Sequence, residues 1–331
     1  MGMPGSSGAL PGDDLADWLA ENLGVRPVGR RPVGGGCIHS AWCLTVLPSG
    51  GAAAALMPAP PFSGGRLFAK INTLEALPLL EAEAEGLEAL SCAAAGTDLR
   101  VPAPLAVGVA GSQAVLVLPW LELEGSASAI APGAWHRLGA ALALLHRNSL
   151  ERPCMPGDRP GRFGWPRDNA IGAAPQANGW LGSWGPFFAE RRLAPQLKRL
   201  ESRIGALRGG QALLERVPDW LDGHGADPCL VHGDLWSGNA AIDASGHGVI
   251  FDPAVHRADR EVDLAMARLF GGFPAPFFAG YEATWPLPAG HRRRVPLYNL
   301  YHLLNHANLF GGSYADQAQA VIAELLLDPP G

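Results

Sequence analysis

Lysine is nearly missing from this chain. Of its 331 residues 25 are basic, and of these only Lys70 and Lys198 are lysine. Cysteine is scarce too. Cys37, Cys43, Cys92, Cys154 and Cys229 are scattered, odd in number and free of any CxxC pair, which argues against a disulfide framework or a zinc site and suits the reduced thiols of a cytoplasm. No basic block exists beyond the HRRR of residues 291–294 and the formal charge is −6, so the electrostatic footprint of a nucleic-acid binder is absent. The opening MGMPGSSGAL has neither a basic n-region nor a continuous apolar run, which reads against a secretory signal. The charge-free stretch 101–121 has the length of a membrane span. Pro102, Pro104, Gly108, Gly111 and Pro119 interrupt it, and residues 110–113 read as a turn between two apolar strands, so a buried hairpin is expected there.

What is present points to a folded protein. The 43 glycines and 30 prolines exceed the usual share, but they come with 48% hydrophobic residues and no collagen period, which excludes general disorder. The length suits one large domain or two lobes. Leu15, Trp18, Leu19 and Leu23 fall at helical spacing over 13–23. Strands are predicted at 28–33, 41–47 and 66–71, with Gly34, Gly35 and Gly36 forming a turn and 48–65 a Pro/Gly/Ala-rich connection. A helix with Pro78 at its first position carries Leu79, Leu80, Leu87 and Leu90, and the 101–121 hairpin follows. Beyond Glu122 the chain reads as mainly helical, with Trp135, Leu138, Leu142 and Leu145 on one face of a helix over 132–146. The expected organisation is a flexible N-terminus over 1–12, a small lobe over 13–121 and a larger lobe over 122–331.

The segment CLVHGDLWSGNAAIDASGHGVIFDPA, residues 229–254, carries the chemistry. Residues 229–231 read as a short strand, and 240–243 with 249–251 as a hairpin turning at Ser245 and Gly246. Asp234, Asn239 and Asp252 emerge near strand ends. Phosphoryl transfer needs a carboxylate to orient the attacking hydroxyl, together with oxygen ligands that hold Mg²⁺ against the nucleotide phosphates. Singly these residues are ordinary turn residues; the joint spacing, with His232 before and Phe251 within it, favours the chemical reading.

HGDLWSGN followed by FDPA resembles the catalytic and metal loops of the protein-kinase-like fold in the form found in aminoglycoside phosphotransferases. With GGGCIHSAW, DNAIGAAPQANGW, FFAERRLAPQL and LYHLLNHANLFGG the chain most resembles the fructosamine kinase, or ketosamine 3-kinase, family, from about Leu15 to Gly312. The resemblance implies a bilobal α+β protein-kinase-like fold, a small antiparallel-sheet lobe with a larger helical one. It further implies ATP and Mg²⁺ as cofactors and transfer to the 3-hydroxyl of a fructosamine or ribulosamine, free or protein-bound. The labile product would then release the amine, a deglycation role. Carried over by position, Asp234 is the base, Asn239 and Asp252 are Mg²⁺ ligands, and Lys70 pairs with the ATP phosphates. Glu83 is its helix partner, with Glu81 and Glu85 as competitors. Gly34, Gly35 and Gly36 would cover the phosphates, and Leu118, Trp120 and Leu121 would receive adenine, Trp120 being open to a lobe-packing role as well. Cys37 in the glycine loop is either a redox handle or a packed thiol.

No protein-kinase activation segment follows Asp252 before the helix near Asp263, so the acceptor is expected to be a small molecule. Asp263 reads as an anchor of the catalytic loop or as an N-cap. Tyr298, Tyr301, His302, Asn305, His306 and Asn308 share one helix, a set suited to sugar hydroxyls and ring faces. Trp236, Asn305 and His306 are the acceptor-site candidates. His302 and His306 also have zinc-type spacing, without the Glu of a metalloprotease motif. Gln176 and Asn178 either line the acceptor site or tie down their loop. Two rivals stay open: a kinase of the same fold acting on an amino sugar, choline or homoserine, and a nucleotide-binding pseudokinase.

Overall fold

Leu15 and Leu19 recur one helical turn apart, and both are buried. They make α1 (Gly12–Leu23) amphipathic and seat it on the strands that follow. Fully burying each leucine is worth about 1.5–3 kcal/mol. The computed structural model describes residues 12–34, 39–49, 65–123 and 131–330. The N-terminal segment up to residue 11, the loop residues Gly35, Gly36 and Cys37, and most of the 48–65 connection lie outside the described residues.

The chain forms two compact units, residues up to Ala84 with Ala103–Leu121, and Glu85–Pro102 with Glu122–Gly331. In the first, α1 precedes β1 (Val25–Pro32), β2 (Ser40–Pro48) and β3 (Arg66–Thr73). A 3₁₀ turn (Leu74–Ala76) then runs into α2 (Leu77–Ala94). Pro78 is thus the second helical residue, where its missing N–H is harmless. After β4 (Leu99–Arg100), strands β5 (Ala106–Ala110) and β6 (Gln113–Pro119) form the hairpin expected from the uncharged run. The sheet is antiparallel in the order β1-β2-β3-β6-β5. Alternation sorts β3 into two faces: Leu67, Ala69 and Ile71 join Leu15 and Leu19 in one core, while Phe68 and Lys70 point the other way.

The passage between units is not the single crossing near residue 121 that the composition change suggests. Residues 85–102 go with the second unit because Leu90, Ala93, Ala94 and Leu99 pack with Trp135, Leu138 and Leu142. β4 also has its strand partner there.

The second unit continues with α3 (Pro132–Asn148), the small hairpin β7 (Asn169–Ile171) and β8 (Ala174–Gln176), and α4 (Trp184–Phe187). A π-helical turn (Phe188–Leu193) joins α4 to α5 (Ala194–Ile204), followed by α6 (Gly210–Asp222). Then come β9 (Pro228–Val231), β10 (Ala240–Ile242), β11 (Gly248–Ile250) and β12 (His256–Asp259). Helices α7 (Glu261–Leu269), α8 (Ala275–Thr284), α9 (His291–Phe310) and α10 (Tyr314–Leu327) complete it. β10 and β11 form the expected hairpin, and β4 extends it in parallel through Leu99 to Gly248. β9 pairs with β12, whose Arg257 and Asp259 are buried. Arg257 makes this possible by pairing with Asp158 at 2.5 and 2.7 Å while donating to the carbonyls of Ser149, Arg152 and Pro228. α3 and α8 approach through reciprocal glycines, Gly139 lying against the backbone of Phe277 and Gly280 against that of His136, where any Cβ would collide.

Candidate active site

In the first unit Lys70 leaves β3 on the face opposite the α1 core, beside Leu116 and Leu118, since Lys70 registers with Leu116 and Phe68 with Leu118. Its ammonium is buried and lies 2.8 Å from Glu83 Oε1. Of the three helix carboxylates in contention, this one meets Lys70; Glu85 instead meets Arg167 at 2.8 Å. Pairing with the Glu83 carboxylate holds the buried ammonium in place. Trp120 is half-buried, with the guanidinium groups of Arg31 and Arg66 over its ring at 5.0 and 5.8 Å. Leu118 is buried and Leu121 half-buried, while Gly34 is exposed at the end of the described part of its loop.

In the second unit the chain leaves β9 through His232, Gly233 and Asp234. Gly233 has φ of 80°, and a side chain there would strike the Ala254 carbonyl, so only glycine fits. The turn is held from below. Asp263 on α7 accepts the N–H groups of His232 at 2.7 Å and Gly233 at 2.8 Å, and its Oδ2 lies 3.1 Å from His146 Nε2. Tyr281 on α8 meets the other ring nitrogen of His146 at 2.8 Å. Burial alone would raise the Asp263 carboxyl; the hydrogen bond and charge of His146, then His232 and the Gly233 N–H, hold it below its ordinary value. Of the two sequence readings Asp263 takes that of loop anchor; the N-cap position of α7 is held by Arg260. His232 has a fixed tautomer: its Nδ1 accepts the Asp234 N–H at 3.2 Å, so Nε2 carries the proton and donates to the Phe251 carbonyl at 2.9 Å. Burial keeps that ring neutral against the pull of Asp263.

Asp234, Asn239 and Asp252 come together. The Asn239 side-chain N–H group faces the Asp234 carbonyl at 2.9 Å, Asp234 Oδ2 at 3.4 Å and the Asp252 carbonyl at 3.3 Å. With the amide nitrogen so committed, its carbonyl oxygen is the atom left to serve as a ligand. Asp252 is the one described non-glycine residue with positive φ, 57°, a conformation that costs about 1 kcal/mol and is tolerated best by Asn and Asp. Burial first, then the charges of Asp252 and Asp263, push the Asp234 carboxyl up to about 7, against the opposing hydrogen bond from Asn239. Neighbouring carboxylates and one amide oxygen, with no sulfur, form a hard oxygen donor set; it fits Mg²⁺ and disfavours zinc. Trp236 is 40% exposed, and its indole folds back onto Gly238, where no side chain would fit beneath it.

The acceptor candidates on α9 are placed differently from one another. Asn305 is buried, and its Oδ1 accepts Gln196 Nε2 at 3.2 Å. His306 lies among the rings of Phe270, Phe310 and Tyr314 and engages the His302 carbonyl at 2.8 Å. A further residue of that helix, His302, has its Nδ1 4.0 Å from Asp234 Oδ1. Helical spacing cannot make this choice, because α9 is buried on nearly all sides. Gln176 and Asn169 tie down the segment after Asp252: Gln176 donates to the Ala254 carbonyl at 3.1 Å and Asn169 to that of Val255 at 2.8 Å. Gln176 also accepts Tyr301 OH at 2.8 Å, and Asn178 accepts Arg192 at 2.7 Å, so the loop tie-down is the reading these contacts favour. A separate cluster, His224, Asp259 and Glu261, brings metal-ligand atoms together. Arg294 takes both Glu261 oxygens at 2.9 and 2.7 Å, and Tyr298 and His224 take Asp259, so its charge is already compensated.

The fructosamine kinase family model matches residues 13–328. The chain belongs to the fructosamine kinase family. It is 40% identical over 327 residues to a probable ketoamine kinase of Synechocystis, covering 98% of this chain and 99% of that one. It is 32% identical over 323 residues to a chloroplastic protein-ribulosamine 3-kinase of Oryza sativa, covering 96% and 85%. A solved structure from Thermobifida fusca, named "putative fructosamine-3-kinase", superposes with a TM-score of 0.75 at 28% identity, covering 95% of this chain and 98% of that one. An aminoglycoside phosphotransferase, solved with ADP and hygromycin B, shares the fold at a TM-score of 0.59 and 14% identity, covering 96% and 99%. The fructosamine kinase chain thus has the bilobal α+β, protein-kinase-like fold that its motifs implied. Among its described residues no helix is long and apolar enough to cross a membrane.

Proposed function

We propose that this protein is an ATP-dependent ketoamine kinase that transfers the γ-phosphoryl group to the 3-hydroxyl of a fructosamine or ribulosamine. The observation that carries the proposal is the Asp234 carboxylate, set beside Asn239 and Asp252 on a turn clamped by Asp263. A carboxylate so placed holds the hydroxyl proton and accepts it as the O–P bond forms. Fixing the turn keeps that carboxylate on line, so positioning and electrostatics supply most of the rate. Mg²⁺ held by Asn239 and Asp252 would neutralise the charge on the nucleotide phosphates. Lys70, steadied by Glu83, is the cation assigned to those phosphates, and Leu118, Trp120 and Leu121 are assigned to adenine. Gly34, Gly35 and Gly36 are assigned to the phosphate cover, and Trp236 to the acceptor. Five scattered cysteines without a CxxC pair suit a cytoplasmic setting. We further assign free or protein-bound ketoamines as partners, with neither nucleic acid nor membrane. A labile 3-phosphate product gives the reaction a deglycation role.

ADP release measured with fructosamine and ribulosamine, each as the free amine and on a protein, tests the reading. Turnover with a ketoamine, abolished in Asp234→Ala while Mg·ATP still binds, is the expected result. Turnover only with choline, homoserine or an amino sugar would replace the acceptor, and tight Mg·ATP binding without turnover would make the chain a pseudokinase.

A further inference from the structure

The mechanism so far gives the acceptor hydroxyl one partner, Asp234. A second polar atom faces the same point. His302 is 3% exposed, and its Nδ1 has no hydrogen-bond partner among the described residues. Buried imidazole nitrogens are normally satisfied, and leaving one unmatched costs about 1–3 kcal/mol, so an orphan beside a reacting carboxylate calls for a ligand. The gap between His302 Nδ1 and Asp234 Oδ1 is 4.0 Å. That is too long for a direct hydrogen bond, and it is the span left when one oxygen sits at about 2.8 Å from each atom.

Resting on the kinase reading above, we infer that His302 Nδ1 and Asp234 Oδ1 grip the acceptor hydroxyl from two sides, Nδ1–H donating to its oxygen while the hydroxyl proton is directed to Asp234. A hydroxyl oxygen has two lone pairs. With one occupied by His302, the other is aimed, and attack on phosphorus proceeds along a fixed direction. The ring suits this duty because it stays uncharged. Burial first, then His306, brings its pKa down to about 3, so it does not form an ion pair that would disarm the base. Tyr301, the residue before it, is fastened to Gln176 at 2.8 Å, and His306 one turn on is fastened to the His302 carbonyl, so the ring is presented by braced backbone. His302 is therefore an orienting residue for the acceptor in addition to Trp236, selecting for a hydroxyl that can donate and accept at once.

The test compares His302→Asn, which keeps an N–H donor at the position of Nδ1, with His302→Phe, which keeps the bulk and removes the donor. Both are assayed beside the wild-type enzyme for ketoamine kinetics, Mg·ATP affinity and thermal melting. The expected result is a loss of 30-fold or more in kcat/KM for the ketoamine in His302→Phe (about 2 kcal/mol), at least tenfold recovery in His302→Asn, and unchanged Mg·ATP affinity in both. Equal kinetics for the two variants would overturn the inference. If His302→Phe fails to fold, the wild-type enzyme with ¹⁵N-labelled histidine decides: ketoamine added in the presence of a non-hydrolysable ATP analogue must shift the His302 Nδ1 resonance, and no shift would overturn the inference. Should the wild-type enzyme turn over no ketoamine at all, the functional reading itself falls.

Discussion

Asp263 and Gly233 stand 30 positions apart in the chain, yet the carboxylate of one accepts the backbone N–H of the other at 2.8 Å, and that of His232 at 2.7 Å with its second oxygen. On the proposed reading, the turn that carries the base is held by a residue of another element, α7. Asp263→Asn puts an amide where two N–H donors converge, so one donor must face another. A buried charge network broken in this way loses about 3 kcal/mol. Thermal melting should show the loss, and kcat should fall about a hundredfold, since the turn that aims Asp234 is released. A variant with full kcat would mean that the loop is held by other contacts.

Metal- and nucleotide-free protein should show a pH-dependent cost from Asp234. Its carboxyl titrates near 7 in the fold against an ordinary value of 3.8. The folded state therefore keeps a proton that the unfolded chain has already released between those values. The sign follows: this group's contribution to stability is greatest below about pH 4, declines as pH rises to about 7, and is level above it. Asp234→Asn cannot ionise and escapes the decline. Its melting temperature relative to wild type should climb across that window, by an amount equivalent to about 2 kcal/mol after screening at its exposed edge. A flat difference from pH 4 to 8 would contradict the assigned environment. Mg·ATP should shift the activity profile to lower pH than the stability profile, because added positive charge favours the carboxylate.

Lys70 offers a test of the residue that the rest of the chain avoids. The chain has 23 arginines and would be expected to use one more wherever any cation would do. At this buried site beside Ala69 and Ile71 a planar guanidinium is larger and meets Glu83 with a different geometry. Lys70→Arg should weaken Mg·ATP binding at least tenfold by titration calorimetry, with folding retained. Unchanged affinity would reduce the near absence of lysine to an accident of composition.

Much of this architecture could be read in advance because it follows from short-range pattern. The apolar strands around residues 101–121, the spacing of Leu15 and Leu19, and the turn-rich segment 229–254 each declare themselves within a dozen or two residues. β4 and β12 did not. β4 is two residues long and owes its existence to Gly248 and Val249, and β12 reads HRAD, a surface sequence unless Asp158 is known to neutralise Arg257. His302 was hidden for a different reason. α9 buries residues of every chemical kind around its circumference, so periodicity singles out no face, and Asn305 and His306 were as plausible as the histidine that faces Asp234.

The route of α2 has a consequence for anyone who would divide the molecule. One unbroken helix begins in the first unit and ends in the second, and the chain completes a strand there before it returns to build β5 and β6. A fragment ending at residue 121 would carry Leu90, Ala93 and Leu99 without the Trp135 and Leu138 that cover them. A fragment beginning at 122 would keep β11 with its parallel neighbour gone. A cut at residue 121 therefore does not separate the two units, and a chimera that respects them moves residues 85–102 together with 122–331.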